Sequence, residues 1–187
     1  MKRLINKIAI VTGASRAKGI GTEICRELAK EGADIFFTHW SNYDRLMNYC
    51  NEDNFNWSKH LIEEIRSLGV RCESMELDLS QPGAPRKLLN TVQTKLGSPS
   101  ILVNNATHSM DVDFRSIDAD VLDAHYSVNV RGTCLLTVEF ARLIEGKMAG
   151  ELLIWYQVKI SHLSLEIWLM LQQKGLFLHL LNQLLLN

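Results

Sequence analysis

At 187 residues the chain can bury one well-packed core but not two comfortable ones. A formal net charge of −1, with both signs mixed and no basic block, argues against a surface that tracks a nucleic-acid backbone. Four scattered cysteines (Cys25, Cys50, Cys72, Cys134) with no Cys-x-x-Cys predict free thiols in a reducing cytoplasm, and no apolar run reaches the roughly 18 residues of a membrane span.

Apolar runs alternate with helical patterns. Lys7 to Thr12 predicts a first strand, and Ile20 to Glu31 a helix ending at Gly32. The apolar run Ile8 to Val11 is too short for a signal-peptide core. Ala33 to Thr38 predicts a second strand, and the polar stretch Ser41 to Trp57 an exposed loop. Ser58 to Leu68 follows as a helix stopped by Gly69, Val70 to Leu77 as a third strand, and Ala84 to Leu96 as a helix stopped by Gly97. Ile101 to Asn104 is a short fourth strand, and Asp118 to Ile144 a long helix bent near Gly132. Strands alternating with helices imply an α/β fold, a parallel sheet covered on both faces.

The junction after the first strand carries chemistry. Thr12-Gly13-Ala14-Ser15-Arg16-Ala17-Lys18-Gly19-Ile20-Gly21 lies between a buried strand and a helix start. Glycines there let the backbone approach a pyrophosphate, and the helix N-terminus offers it unpaired N–H groups and partial positive charge. The flanking strand and helix give the glycine pattern the context it needs.

Three further motifs follow in order: Asp78-Leu79 after the third strand, Asn104-Asn105-Ala106 at the end of the fourth, and Ser127-Val128-Asn129-Val130 on the long helix. With the glycine-rich turn they make residues 1–150 resemble the short-chain dehydrogenase/reductase family, and within it the bacterial 3-oxoacyl-carrier-protein reductases. The resemblance implies a doubly wound parallel sheet (a Rossmann fold), incomplete on its C-terminal side. It implies that Gly13, Ser15, Arg16, Gly19, Ile20 and Gly21 meet the dinucleotide phosphates, and that Asp78 and Leu79 meet the adenine. Asn104, Asn105 and Ala106 would hold the riboses. Asn129 would support a catalytic lysine through a water; read from the residues alone, it could equally bond a neighbouring carbonyl, and Asp78 could be a strand-end turn residue. Tyr126 reads as a packing residue, and His108 and His125, lacking metal-ligand spacing, as structural or exposed.

The turn departs from the usual family pattern, with five residues between Gly13 and Gly19 instead of three, and Thr107 stands where glycine commonly follows Asn-Asn-Ala. The second strand ends Thr38-His39-Trp40 without the acid that binds the ribose 2′-hydroxyl of NAD, while Arg16 would suit a 2′-phosphate unless it is an ordinary solvated side chain. The expectation is therefore NADP, with NAD as the alternative.

Carbonyl reduction in the family uses a serine on the substrate oxygen, a tyrosine that passes the proton, and a lysine four residues after it. The last two share one helix face. No Tyr-x-x-x-Lys occurs: the positions four after Tyr43, Tyr49, Tyr126 and Tyr156 are Met47, Asp53, Val130 and Ile160, and Met170 precedes Lys174. After Gly150 the composition also changes. Residues 151–187 contain no Ala, Thr, Asp, Arg or Pro, and about a third are leucine.

A one-base shift accounts for both facts. Codons for Glu151 to Val158, each borrowing the last base of its predecessor, can read Arg-Ile-Ile-Asn-Met-Val-Ser-Gly. Those from position 169 can read Ala-Tyr-Ala-Thr-Thr-Lys-Gly-Ala. A serine then falls at position 157, a tyrosine at 170 and a lysine at 174, with the family's spacing. The code leaves little freedom here, since only serine or proline can arise at 157 and only lysine or glutamate at 174. The expectation is a frameshift near Lys147 to Gly150, with the tail a misread remainder of one domain. The alternative is a leucine-rich amphipathic segment used for packing or dimerisation. Three functions compete: an oxidoreductase by descent with impaired catalysis, a non-catalytic dinucleotide-binding protein, and an unstable gene relic. Intact relatives would act on a small carbonyl or alcohol as oligomers, without nucleic acid or membrane partners.

Overall fold

The computed structural model describes residues 2–46, 56–110, 112–145 and 151–153. The serine, tyrosine and lysine positions of the shifted frame, and the rest of the leucine-rich tail, lie outside these residues.

Among the described residues the strands are β1 (Ile8–Val11), β2 (Asp34–His39), β3 (Cys72–Glu76), β4 (Ile101–Val103) and β5 (Glu151–Leu153). They form one parallel sheet in the order β3-β2-β1-β4-β5. The order of strand addition reverses about β1: successive strands are laid down toward β3, and the chain then crosses over to β4 and β5. That reversal leaves a crevice beyond the C-terminal ends of β1 and β4, where open α/β sheets bind ligands. β5 pairs Glu151, Leu152 and Leu153 with Ile101, Leu102 and Val103, at the edge of the sheet beyond β4.

Helix α1 (Ile20–Lys30) follows β1, α2 (Ser41–Leu46) and α3 (Trp57–Ser67) follow β2, and α4 (Ala84–Lys95) follows β3. The alternating pleat sends side chains to two cores. Ala9, Val11, Ile35, Phe37, Ile101 and Val103 pack with Cys25 and Ala29 of α1 and Leu61 and Ile65 of α3. Ile8, Ile10, Phe36 and Leu102 face Leu88, Leu89 and Val92 of α4, with Leu136 and Phe140 from beyond β4. The Arg26 guanidinium joins α1 to α3 through two bonds to Glu64, at 2.6 and 2.9 Å. The helix stops at Gly32, Gly69 and Gly97 are met, each with positive φ.

Two expectations about elements are corrected. Part of the stretch from Ser41 to Trp57 is helical, not an exposed loop. α2 occupies Ser41–Leu46, its Asp44 is buried, and Trp57 already begins α3. The polar sequence hid α2 because its inward residues, Tyr43 and Asp44, line the open cleft and do not pack into either apolar core. The long helix from Asp118 to Ile144 is present, but it is not α-helical throughout. Asp118 caps α5 (Ala119–His125) by accepting the Val121 N–H at 2.9 Å. A π-helical stretch, Tyr126–Gly132, then leads into α6 (Thr133–Ile144). Tyr126 is 49% exposed, so it is not a packing residue.

Candidate cofactor-binding cleft

Thr12, the residue after β1, organises the crevice. Its buried hydroxyl accepts the N–H groups of Asn105 and Ala106, both at 3.0 Å, which welds the end of β1 to the loop after β4. Asn105 answers with its side-chain amide, which donates to the carbonyls of Thr12 at 2.8 Å and Gly13 at 3.0 Å. A side chain would not fit at either flanking glycine. A Cβ on Gly13, where φ is +76°, would lie 2.7 Å from the Ala106 Cα. One on Gly21 would lie 2.5 Å from the Asn105 amide nitrogen and 2.8 Å from the Gly13 carbonyl oxygen. The glycines are thus required by close approach of backbone to backbone.

The turn itself is braced. Gly19 N–H donates to the Arg16 carbonyl at 3.0 Å, and the Thr22 hydroxyl bonds the same carbonyl at 2.7 Å. Trp57 reaches back from α3 to donate to that hydroxyl at 3.3 Å. Among the described residues no side chain caps α1 at its N-terminus. Its first amides therefore remain available to an anion in the way a phosphate site requires.

A cavity of about 330 Å³ opens above this junction. Of the residues expected at the site, Gly13, Ser15, Arg16, Asp78, Leu79, Asn105 and Ala106 line it. Gly19, Ile20 and Gly21 form the start of α1 beside it, with Ile20 38% exposed. Asn104 sits beneath, its amide donating to the Thr137 hydroxyl at 3.0 Å, and its Oδ1 is buried without a partner, as is that of Asn105. Asn129 clamps the loop after β4: its Oδ1 accepts the His108 N–H at 2.7 Å and its Nδ2 donates to the His108 carbonyl at 2.8 Å.

Asp78 accepts the Ser80 N–H at 2.9 Å and the Gln81 amide at 3.1 Å. Burial raises its pKa, but the hydrogen bonds from Ser80 and Gln81 outweigh that and hold the carboxyl below the ordinary range. The next turn is fixed from the other side. Arg131 donates to the Ser80 carbonyl at 2.6 Å, and Gly132 packs directly on the Leu79 carbonyl.

The sequence reading missed a second group of residues. Tyr43 and Asp44 of α2, Thr107, His108, Ser127 and Val128 also line the cavity. The Tyr43 hydroxyl donates to the Ser109 carbonyl and accepts its N–H, both at 3.0 Å, so α2 is joined to the loop after β4. His108 stacks obliquely on Tyr43 at 5.3 Å between ring centroids and meets His125 edge-on at 5.0 Å. Burial and the neighbouring His125 lower the His108 pKa, opposed by Asp78, and its Nε2 is buried without a partner. His125 is structural, as expected: it accepts the Met110 N–H on Nε2 at 3.3 Å, so Nδ1 donates to the Val121 carbonyl at 2.8 Å. An acid does reach the site, although none ends β2. Asp44 Oδ1 stands 4.0 Å from Arg16 Nε, with its side chain 8% exposed. Among the described residues no cluster could hold a metal ion, and no helix is long and apolar enough to cross a membrane.

Comparison with known proteins agrees with this geometry. The chain is 48% identical over 136 residues to an uncharacterized oxidoreductase, YjdA, of Bacillus subtilis (strain 168), covering 73% of this chain and 50% of that protein. A short chain dehydrogenase from Burkholderia cenocepacia J2315, solved in complex with NADP, superposes with a TM-score of 0.71 at 26% identity, covering 90% of this chain and 63% of that one. A metagenomic short-chain oxidoreductase, also in complex with NADP, gives 0.76 at 25% identity over 97% of this chain and 77% of the other. The chain spans about half the length of the curated relatives it matches. With residues 7–154 matching the family described as short chain dehydrogenase, and the glycine turn, Asn105 and Asp78 converging on one cleft, the chain belongs to that family.

Proposed function

We propose that this chain is an oxidoreductase by descent that keeps the dinucleotide cleft and lacks the proton-transfer set. The observation that carries the reading is the junction of Gly13, Gly21 and Asn105. There the backbone is packed too closely for any Cβ, beside a helix N-terminus that no side chain caps. Such a surface fits a pyrophosphate. The α1 amides from Ile20 onward would face the phosphates, Asp78 and Leu79 would border the adenine, and Asn105 and Ala106 the riboses. Arg16 favours NADP, in keeping with the NADP complexes among the solved relatives; NAD is the alternative.

The bound nicotinamide supplies or accepts a hydride. What this chain's own residues do is bind and orient. Thr12 fixes the two loops against each other, and Asn129 holds His108 by its backbone. These two hydrogen bonds use one acceptor position of Oδ1 and one N–H of Nδ2, which leaves a second acceptor position and a second donor for a water toward a lysine.

No serine, tyrosine and lysine stand at the family's spacing in this reading frame. Loss of a positioned acid costs about 10²–10⁴ in rate, and loss of an oxygen-binding donor about 10²–10³. The frameshift reading is supported by the family match, which stops at residue 154, close to the change in composition after Gly150. In this reading residues 1–150 are one domain and 151–187 its misread remainder. An intact relative would reduce a small carbonyl, a 3-oxoacyl thioester being the first to test. The free thiols of Cys25, Cys72 and Cys134 suit a cytoplasmic setting.

The test is thermal unfolding with and without NADPH, because a ligand stabilises only a folded site that binds it. A rise in Tm with NADPH, without turnover of a 3-oxoacyl thioester, is expected. A cooperative transition indifferent to both dinucleotides removes the binding reading, and absence of any cooperative transition leaves a gene relic. Sequencing the coding DNA tests the frame: if no one-base shift restores the motif, the frameshift is wrong.

A further inference from the structure

The adenosine end of the cleft holds a charge pair whose two members ask for different ligands. Arg16 comes from the glycine-rich turn and Asp44 from α2, which begins directly beyond the end of β2. Both line the cavity together with Ser15, Thr38 and Trp40. Their charged atoms, Arg16 Nε and Asp44 Oδ1, stand 4.0 Å apart, with side-chain exposures of 36% and 8%. Asp44 is carried into place by backbone contacts on both sides. Its own N–H bonds the Trp40 carbonyl at 3.4 Å, and the Trp40 N–H donates to the Ser15 hydroxyl at 3.1 Å. The Ser41 N–H is held by Glu76 at 3.2 Å, which pins the first turn of α2 to the end of β3.

We propose that Asp44 and Arg16 form an opposed selectivity pair for the adenosine 2′-position, so that the cleft accepts both dinucleotides and neither charge alone decides between them. The inference rests on the dinucleotide reading above. Adenosine riboses in this kind of sheet lie at the end of the second strand, where an acid accepts from a 2′-hydroxyl and an arginine pairs a 2′-phosphate. Here the acid arrives from the following helix and is paired with the arginine of the turn. A 2′-hydroxyl can donate to Asp44 with the pair intact. A 2′-phosphate brings a second anion to a nearly buried carboxylate, where like charges repel strongly, and gains Arg16 only in competition with Asp44. Asp44 therefore works for NAD and against NADP, and Arg16 the reverse. Burial pushes the Asp44 carboxyl upward, against Ser15 and Arg16, which marks the same cost of keeping charge there.

The probes are 2′,5′-ADP and 5′-AMP, titrated calorimetrically into the full chain, so that no turnover is needed. The unaltered chain is expected to bind both. Asp44→Asn should tighten 2′,5′-ADP about tenfold, the scale of one charged hydrogen bond or repulsion, and weaken 5′-AMP. Arg16→Gln should weaken 2′,5′-ADP by about the same factor and 5′-AMP by less, so that the ratio of the two moves opposite to Asp44→Asn. Asp44→Ala must move the ratio in the same direction as Asp44→Asn. A parallel loss of both ligands in the Asp44 variants, or an unchanged ratio, overturns the proposal and leaves Asp44 a support of α2 only. Failure of the folded, unaltered chain to bind either probe overturns the dinucleotide reading itself and the selectivity pair with it.

Discussion

The two sides of the crevice are built by different means. Where β1 meets β4 the site is built on backbone: glycines in contact with neighbouring main chain, a threonine hydroxyl shared by two amides, and the N-terminus of α1. Toward β5 the family's chemistry depends on three side chains at fixed spacing, and the sequence supplies none of them in that arrangement. β5 nevertheless pairs in register with β4. Backbone pairing depends little on which side chains a strand carries, whereas a proton relay depends on each of its side chains. In the reading proposed above, fold and binding surface persist without the chemistry, since a fold does not by itself carry a function.

The strongest way to break that contrast is to restore the reading frame near Lys147 to Gly150. NADPH oxidation with a 3-oxoacyl thioester should rise at least about 10⁴-fold over the chain as written, the combined worth of a positioned acid and an oxygen-binding donor. Turnover by the present sequence at comparable rates would show that the two sides are not separable.

The next effects are on stability. Leu136 of α6 is fully buried against the β1 and β4 face, so Leu136→Ala should cost about 2–5 kcal/mol in urea unfolding. A much smaller loss would mean that the core beyond β4 is poorly formed. Gly21→Ala should cost about 1–3 kcal/mol, because the added Cβ meets the Asn105 amide, which cannot turn aside while it bonds two carbonyls. NADPH binding should be lost in the same variant, read by fluorescence titration.

The smallest effect is in pH. Burial holds His39 and His108 below the ordinary histidine pKa, with His125 adding to the shift at His108. The folded state thus favours their neutral forms, and below about pH 6.5 the unfolded chain binds more protons. Their contribution is present above the unfolded pKa and is lost as pH falls through that value toward the folded one. Tm should decline over this window, and His108→Asn should flatten part of the decline. An unchanged profile in that variant would remove His108 from the account.

Most of the sheet was legible in the sequence because its elements bury continuous apolar runs between glycine stops. Ile8 to Val11 and Ile101 to Val103 are such runs, and Asp118 announces its helix by capping it. The glycine turn and Asn105 were legible for a different reason: close backbone approach admits so few residue types that the pattern survives as a motif. α2 was not legible, because a short helix that lines an open cleft and packs into neither core carries no apolar stripe. Nor could the sequence place Asp44 beside Arg16, since that proximity depends on where β2 delivers the chain. Asn129 was read as a site residue on a helix, but its bonds to His108 depend on how the loop after β4 folds back on that helix.

The π-helical stretch from Tyr126 to Gly132 has a consequence for how this chain tolerates change in length. A π turn accommodates an extra residue within a helix, and such stretches are typically found at functional sites. Removing one residue there would let the segment wind as ordinary α-helix at about 100° per residue, which keeps Leu136 and Phe140 near their places in the core. Asn129, inside the stretch, would shift relative to the His108 backbone that it holds. The stretch therefore absorbs a change in length between the cleft and the core behind it, so a single deletion there should disturb the core less than one within α6.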